Sequence, residues 1–186
     1  MEHKPKVSVI VPCYNLAAFL PEALDSVLNQ RFQDWECIVV DDGSTDDSVD
    51  VATRFVEADS RFKLLTQANS GVSRARNHGV AASKGNYILF LDADDILLPH
   101  YMEIAVSILD HNNHVKVVSG QAEQFGEGIE TKLRDIPPFS MEQLIAQNCI
   151  YVTSFIRRDA FDRAGGFCED FTSGWEDWDF WLACLK

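Results

Sequence analysis

Two aspartates directly follow an apolar segment of the chain, with Asp92 and Asp94 coming after Asn86–Leu91. If that segment is a strand and the chain stays extended to Asp94, the alternation of side chains points both carboxylates the same way. Two such carboxylates repel each other unless a cation lies between them, and hard divalent cations prefer oxygen ligands. We therefore predict a divalent metal site at the Asp92–Asp94 pair. The alternative is a pair of solvated strand-end carboxylates or helix caps.

A second acidic group, Glu176 and Asp177, lies between Trp175 and Trp178 near the end of the chain. Aromatic faces suit sugar rings, and a carboxylate beside a sugar hydroxyl can take its proton. The segment therefore predicts a place where a carbohydrate hydroxyl is activated. The alternative is a buried aromatic helix start in which the two acids only cap the helix.

Three further polar residues come just after strands or near a helix start. Asp42 can accept hydrogen bonds from a nucleobase or ribose, or it can simply belong to a turn. Tyr14 follows the first strand, where its ring can stack on a base or pack in the core. Arg76 lies near a helix N-terminus, where anions are favoured, so it can contact a phosphate or form a structural ion pair. The sequence favours neither of these two interpretations of Arg76.

Strand and helix patterns alternate along the chain. The predicted strands are 6–11, 36–40, 62–66, 86–91, 115–119 and 152–156. Helices are predicted at 16–31, 70–84, 99–110 and 141–147. Two more are predicted to begin after a cap within 44–47 and near residue 176. Such an order predicts an α/β fold with a mostly parallel sheet and helices on both faces. Ligands of such sheets bind at the carboxyl ends of the strands. Candidate residues from four strand ends, including Pro12 and Asn15, fall on this one edge.

Composition excludes several classes of protein. The chain has 186 residues, 46% of them apolar, and a net charge of −13. A packed domain is expected, and a nucleic-acid-binding surface is not, because the basic footprint is missing. Five cysteines without a C-x-x-C pair predict reduced thiols in a cytoplasmic protein. No apolar segment approaches the ~20 residues of a membrane span, which leaves only peripheral membrane association open.

Several segments together resemble the inverting glycosyltransferases of family 2, which have a Rossmann-like GT-A fold. The matching segments, in chain order, are Val7–Asn15, Val40–Asp46, Gly71–Gly79 with Ala75-Arg76-Asn77, Phe90–Asp95, Gly165–Phe167 and Trp175–Asp177. They span nearly the whole chain. We therefore expect residues 1–186 to be a single glycosyltransferase catalytic domain that lacks the C-terminal end of a longer protein.

The resemblance implies an enzyme that moves a sugar from a nucleotide-sugar donor, usually a UDP-sugar, to a hydroxyl acceptor such as a saccharide. The donor is held by Mn²⁺ or Mg²⁺. The reaction implied by the resemblance belongs to polysaccharide or glycoconjugate synthesis. Tyr14 and Asp42 contact the base, Asp92 contacts the ribose or metal, and Asp94 binds the metal. Asp177 falls at the position of the catalytic base, with Trp175 and Glu176 as candidate donor or acceptor contacts. Pro12, Asn15 and Arg76 complete the predicted nucleotide-sugar site.

Three other functions remain open at this stage. A phosphoacceptor receiver domain also has acids after two strands, but it leaves Asp94 and the Trp175–Trp178 segment unexplained. A nucleotidyltransferase would need a basic residue near the first loop, and residues 12–20 contain none. The third function is that of a non-catalytic protein that binds sugar nucleotides.

Overall fold

The computed structural model describes residues 4–126, 128–171 and 174–186. Its strands are β1 (Val7–Cys13), β2 (Trp35–Asp41), β3 (Phe62–Thr66), β4 (Tyr87–Phe90), β5 (Val117–Ser119), β6 (Glu123–Gln124), β7 (Lys132–Leu133) and β8 (Ser154–Arg157). Its helices are α1 (Leu20–Leu28), α2 (Ser48–Ala58), α3 (Val72–Ala82), α4 (Tyr101–His111), α5 (Met141–Ala146), α6 (Arg158–Ala164) and α7 (Glu176–Leu185).

One sheet in the order β3-β2-β1-β4-β8-β5 forms the centre of the fold. Strands β1 to β4 pair in parallel, whereas β8 is antiparallel to both β4 and β5. The prediction of an α/β fold with a mostly parallel sheet is confirmed. Its parallel part brings the carboxyl ends of β1, β2, β3 and β4 to one edge.

Both faces of the sheet are covered by helices. Alternate residues of β1, such as Val9 and Val11, pack with α1, α2 and α4 on one face, while Ile10 packs with α3, α6 and α7 on the other. All seven residues of β1 and of β2 are buried, as expected for central parallel strands. The close approach of α3 depends on Gly79, because a Cβ there would lie 2.4 Å from Ile10 Cγ2.

Some predicted boundaries are wrong, for physical reasons that the structure shows. Strand β1 does not stop before Pro12 but continues to Cys13. Its pairing with β4 ends at Ile10, so the missing N–H of Pro12 interrupts no ladder on that side. Ser70 does not cap α3, because its hydroxyl donates to the Ala68 carbonyl instead. Helix α1 begins four residues later than predicted, with Pro21 in its first turn.

Candidate active site

The loops that follow β1 and β2 are tied to each other. Asn15 has a left-handed backbone with φ of 55°, and its side-chain Oδ1 accepts from the Thr45 backbone N–H at 2.7 Å. The Asn15 backbone N–H in turn donates to Ser44 Oγ at 2.9 Å. Tyr14 is half exposed beside this junction, while Pro12 is buried within β1. About half of the Tyr14 surface is therefore accessible at the sheet edge. Asn15 serves the structure of the loop.

Asp42 is buried and holds the loop that follows β3. Its carboxylate accepts hydrogen bonds from Gln67 Nε2 at 2.7 Å and from the backbone N–H groups of Ser70 and Gly71, both at 2.8 Å. Gly43 allows the loop to approach, because a Cβ there would lie 2.8 Å from the Asn69 backbone nitrogen. Asp42 thus lies at the predicted edge of the sheet, but it is part of the packed structure and not a free surface carboxylate.

Arg76 joins two of the predicted acids. Its side chain is only 4% exposed, and it pairs with Asp92 Oδ1 at 2.8 Å and with Glu176 Oε1 at 2.9 Å. Burial alone would lower the pKa of the guanidinium, but the two carboxylates outweigh burial and raise it. The guanidinium also lies 5.3 Å from the Phe167 ring centroid. The structural ion pair that the sequence left open is present, and Arg76 connects the end of β4 to the start of α7.

The Asp92–Asp94 segment is a turn and not an extended strand end. Strand β4 ends at Phe90, and the Asp95 backbone N–H donates to the Asp92 carbonyl at 3.0 Å. Extended geometry through Asp94, the condition for both carboxylates to point the same way, is therefore not met. Asp94 is exposed and makes no hydrogen bond or ion pair with another described residue. Burial together with Asp92 and Asp94 raises the pKa of Asp95, whose carboxylate accepts from Thr153 Oγ1 at 3.2 Å.

The oxygen atoms at this turn fit a hard divalent cation. Within the described ranges, no group of three or more His, Cys, Asp or Glu side chains converges closely enough to hold a metal ion. Mg²⁺, however, is commonly held by one or two carboxylates together with the phosphates of a substrate. Asp94 is unengaged, and Asp92 gives one oxygen to Arg76, so this turn can supply such a partial ligand set.

Asp177 lies in the first turn of α7 with both carboxylate oxygens engaged. Oδ1 accepts from the Trp178 backbone N–H at 2.7 Å, and Oδ2 accepts from Asn148 Nδ2 at 2.8 Å. Burial raises the pKa of Asp177, and Glu176 adds to the rise, while the two donors and Arg76 act against it. Trp175, the residue before α7, has φ of 70° and an exposed ring. A half-buried acid beside an exposed tryptophan can act as a general base toward a sugar hydroxyl.

Asp177 forms part of the wall of a cavity of about 320 Å³. The other lining residues come from the segments before and after α5: Arg134, Asp135, Ile136, Pro137, Gln147, Asn148, Ile150 and Tyr151. The buried Tyr151 hydroxyl has no hydrogen-bond partner among the described residues, and the Arg134 guanidinium lies 5.6 Å from the Tyr151 ring centroid. None of these neighbours was predicted. Residues 121–140 show no clear periodic pattern, and no local pattern links residues 147–151 to the start of α7.

Comparison with known proteins identifies the family. Residues 8–165 match the model named Glycosyl transferase family 2. The chain belongs to glycosyltransferase family 2. The chain therefore has the GT-A fold, and membership of this family excludes the receiver domain and the nucleotidyltransferase.

Curated relatives agree with this assignment. The chain is 46% identical over 91 residues to the uncharacterized glycosyltransferase EpsJ of Bacillus subtilis, covering 49% of this chain and 26% of that protein. It is 37% identical over 130 residues to an uncharacterized glycosyltransferase of Haemophilus influenzae, covering 69% of this chain and 52% of the relative. The chain thus spans about half or less of the length of these two relatives.

Solved structures show the same fold. TarS 1-349 from S. aureus in complex with UDP is 26% identical and superposes with a TM-score of 0.78, covering 97% of this chain and 55% of the TarS 1-349 chain. The mannosyltransferase PcManGT from Pyrobaculum calidifontis, in complex with GDP-Man and Mn²⁺, is 24% identical with a TM-score of 0.69 and covers 90% of this chain and 49% of PcManGT. None of the helices in residues 4–126, 128–171 and 174–186 has the length and apolar content needed to cross a membrane.

Proposed function

We propose that this glycosyltransferase moves a sugar from a UDP-sugar to a hydroxyl acceptor with inversion at the anomeric carbon, in polysaccharide or glycoconjugate synthesis, and that the chain is one catalytic domain. One observation carries the proposal. Arg76 donates hydrogen bonds to Asp92, just after β4, and to Glu176, at the start of α7. A single guanidinium therefore links the predicted donor site to the helix that carries Asp177.

The donor side is assigned to the edge formed by β1, β2 and β4. Tyr14 stacks on the base, and the segment that includes Pro12 and Asn15 forms the surrounding loop. Asp42 acts at the base either directly or by holding Ser70 and Gly71 in place. The fold shared with TarS, which was solved with UDP, supports a uridine nucleotide.

A divalent cation, Mn²⁺ or Mg²⁺, fits at Asp94, with Asp92 contributing at the metal or the ribose. Bound there, such a cation neutralises charge on the departing diphosphate. The chain has a net charge of −13, so a bare diphosphate is repelled from this acidic turn. The Mn²⁺ complex of PcManGT supports the presence of a metal in this fold.

Asp177 acts as the base. Its carboxylate takes the proton of the acceptor hydroxyl while the acceptor oxygen bonds to the anomeric carbon and the bond from that carbon to the diphosphate oxygen breaks on the opposite face. A single displacement of this kind inverts the anomeric centre. Glu176 is a poorer candidate for the base, because its Oε1 forms an ion pair with the buried Arg76 guanidinium, whereas the two side-chain oxygens of Asp177 accept from neutral donors. The exposed Trp175 ring and the cavity beside Asp177 provide room for a saccharide acceptor.

The proposal is tested by the metal dependence of UDP binding. We expect UDP to raise the melting temperature in Mn²⁺ and much less in EDTA, because the cation bridges the diphosphate to the acidic turn. Asp94→Ala should remove the difference. The matched control is Asp50→Ala, which removes an exposed acid from α2 and should leave the difference intact. Equal stabilisation by UDP with and without metal would contradict the metal assignment.

A further inference from the structure

Asn148 contacts the predicted base from the segment between α5 and β8. Its Nδ2 donates to Asp177 Oδ2 at 2.8 Å. The opposite end of the same amide is also engaged, because Asn148 Oδ1 accepts from the Ile150 backbone N–H at 3.2 Å. With its oxygen held by the backbone, the amide presents its N–H to the carboxylate.

The segment that carries Asn148 is fixed to α7 by a second contact. Trp178 Nε1 donates to the Leu144 carbonyl of α5 at 2.5 Å, and Leu144 itself is fully buried. The Trp178 backbone N–H donates to the other carboxylate oxygen of Asp177. Asp177 is therefore held from two sides, by its own helix and by a side chain whose segment is packed against that helix.

Several charged groups face the Asp177 carboxylate. Glu176 lies on the same helix, Arg76 reaches in from α3, and Arg134 and Asp135 lie across the cavity. Burial and Glu176 oppose ionisation of Asp177, whereas Asn148 donates a hydrogen bond that stabilises the carboxylate. Asn148 supplies this stabilisation without adding a charge to the cavity.

We propose that Asn148 is a positioning residue for the transfer reaction: it holds the Asp177 carboxylate in one orientation at the cavity wall and favours its ionised form. This inference rests on the proposed role of Asp177 as the base. It makes the segment after α5 part of the catalytic apparatus, although Asn148 itself need not touch the reacting atoms.

The experiment measures the titration of Asp177 directly, by NMR of protein labelled with ¹³C at the aspartate carboxyl groups. The Asp177 signal is assigned by its loss in Asp177→Asn. We expect Asn148→Ala to move the titration midpoint of Asp177 to higher pH, and Asn148→Asp to move it further, because it adds a like charge. Asn148→Ser, which retains a donor, should fall between Asn148→Ala and the parent. Gln147→Ala is the matched control, since Gln147 lines the same cavity and, among the described residues, the Asp177 carboxylate accepts from Asn148 and Trp178 and not from Gln147.

Thermal unfolding identifies the Asn148 variants that fold. An unchanged titration midpoint of Asp177 in those variants would overturn the inference. Release of UDP from a UDP-sugar gives the second readout. When kcat is plotted against pH, the decrease on the acid side should move to higher pH in Asn148→Ala. The KM for the donor should not change. Each pH unit by which this decrease moves lowers the rate on its acid side about tenfold. A decrease that does not move would also overturn the inference. If Asp177→Asn retains the parental rate, the assignment of the base fails instead, whatever the titration shows.

Discussion

In this member of glycosyltransferase family 2, the proposed donor side, at the edge formed by β1, β2 and β4, and the proposed acceptor side, around the cavity beside Asp177, are built differently. On the donor side, Asp42 and Arg76 are buried and have several partners within the chain. Asp42 directly follows β2, and Arg76 lies in α3, which packs on the central parallel strands. On the acceptor side, Arg134 is exposed and the buried Tyr151 hydroxyl has no partner among the described residues. The walls there come from the loop segments on either side of the short helix α5.

This difference indicates that the donor side is pre-organised for the nucleotide, whereas the acceptor side can adapt to its ligand. A pre-formed donor site costs little to organise when the nucleotide binds, because its polar groups are already held. Unsatisfied groups on the acceptor side can instead bond to a ligand, and loop segments can vary without disturbing the sheet. The acid Asp177 lies at the boundary between the two sides, since its helix α7 is bonded to the donor side through Glu176 and Arg76.

The largest effect should come from removing the base at this boundary. We expect Asp177→Asn to lower sugar transfer roughly 10²–10⁴-fold while leaving UDP affinity unchanged, because the proton acceptor is lost but the donor side is intact. Steady-state kinetics and calorimetry measure the two quantities. Glu176→Gln is the control and should reduce transfer less. The reverse ranking would assign the base to Glu176.

Removing the connection between the two sides should cost stability. Arg76→Met leaves Asp92 and Glu176 without their cation, and breaking a buried pair costs about 3–5 kcal/mol of unfolding free energy. Because Asp92 is 33% exposed, we expect the lower part of that range. Urea denaturation measures the change. A loss below about 1 kcal/mol, the value typical of exposed pairs, would show that α7 is held to the donor side by packing alone.

A smaller effect is expected from the packed donor side. Asp42→Ala leaves the Ser70 and Gly71 backbone N–H groups and the Gln67 amide without their acceptor. We expect the binding free energy of UDP to weaken by about 1–3 kcal/mol, and the free energy of unfolding to fall by a comparable amount. Calorimetry and denaturation on the same variant measure both. A change in affinity without any change in stability would indicate that Asp42 acts only by touching the nucleotide.

The smallest effect should come from a second arginine of α3. Arg74 forms an exposed pair with Glu169 at 2.8 Å. Such pairs contribute about 0–1 kcal/mol, so Arg74→Ala should change the unfolding free energy far less than Arg76→Met. Equal losses in the two variants would remove burial as the explanation for the importance of Arg76.

The sheet edge that carries the proposed donor side was largely predictable from the sequence, because parallel strands bring their carboxyl ends to one edge and polar residues follow the ends of β1, β2 and β4 within two residues. Strand β3 was predicted with its observed bounds, 62–66. The burial of Arg76 was not predictable, because its partners Asp92 and Glu176 are brought to it only by folding. The contact of Asn148 with Asp177 escaped prediction for the same reason: no local pattern links a residue after α5 to the start of α7.

The place of β8 in the sheet has a consequence for how the chain folds. Strand β8 comes last in sequence but lies between β4 and β5, so β5 has no partner until residues 154–157 are available. During synthesis, β1 to β4 can pair first, which leaves the free edge of β4 exposed until β8 covers it. Exposed strand edges can pair with other chains, so we expect a nascent chain that ends between β4 and β8 to aggregate more readily than one that includes β8.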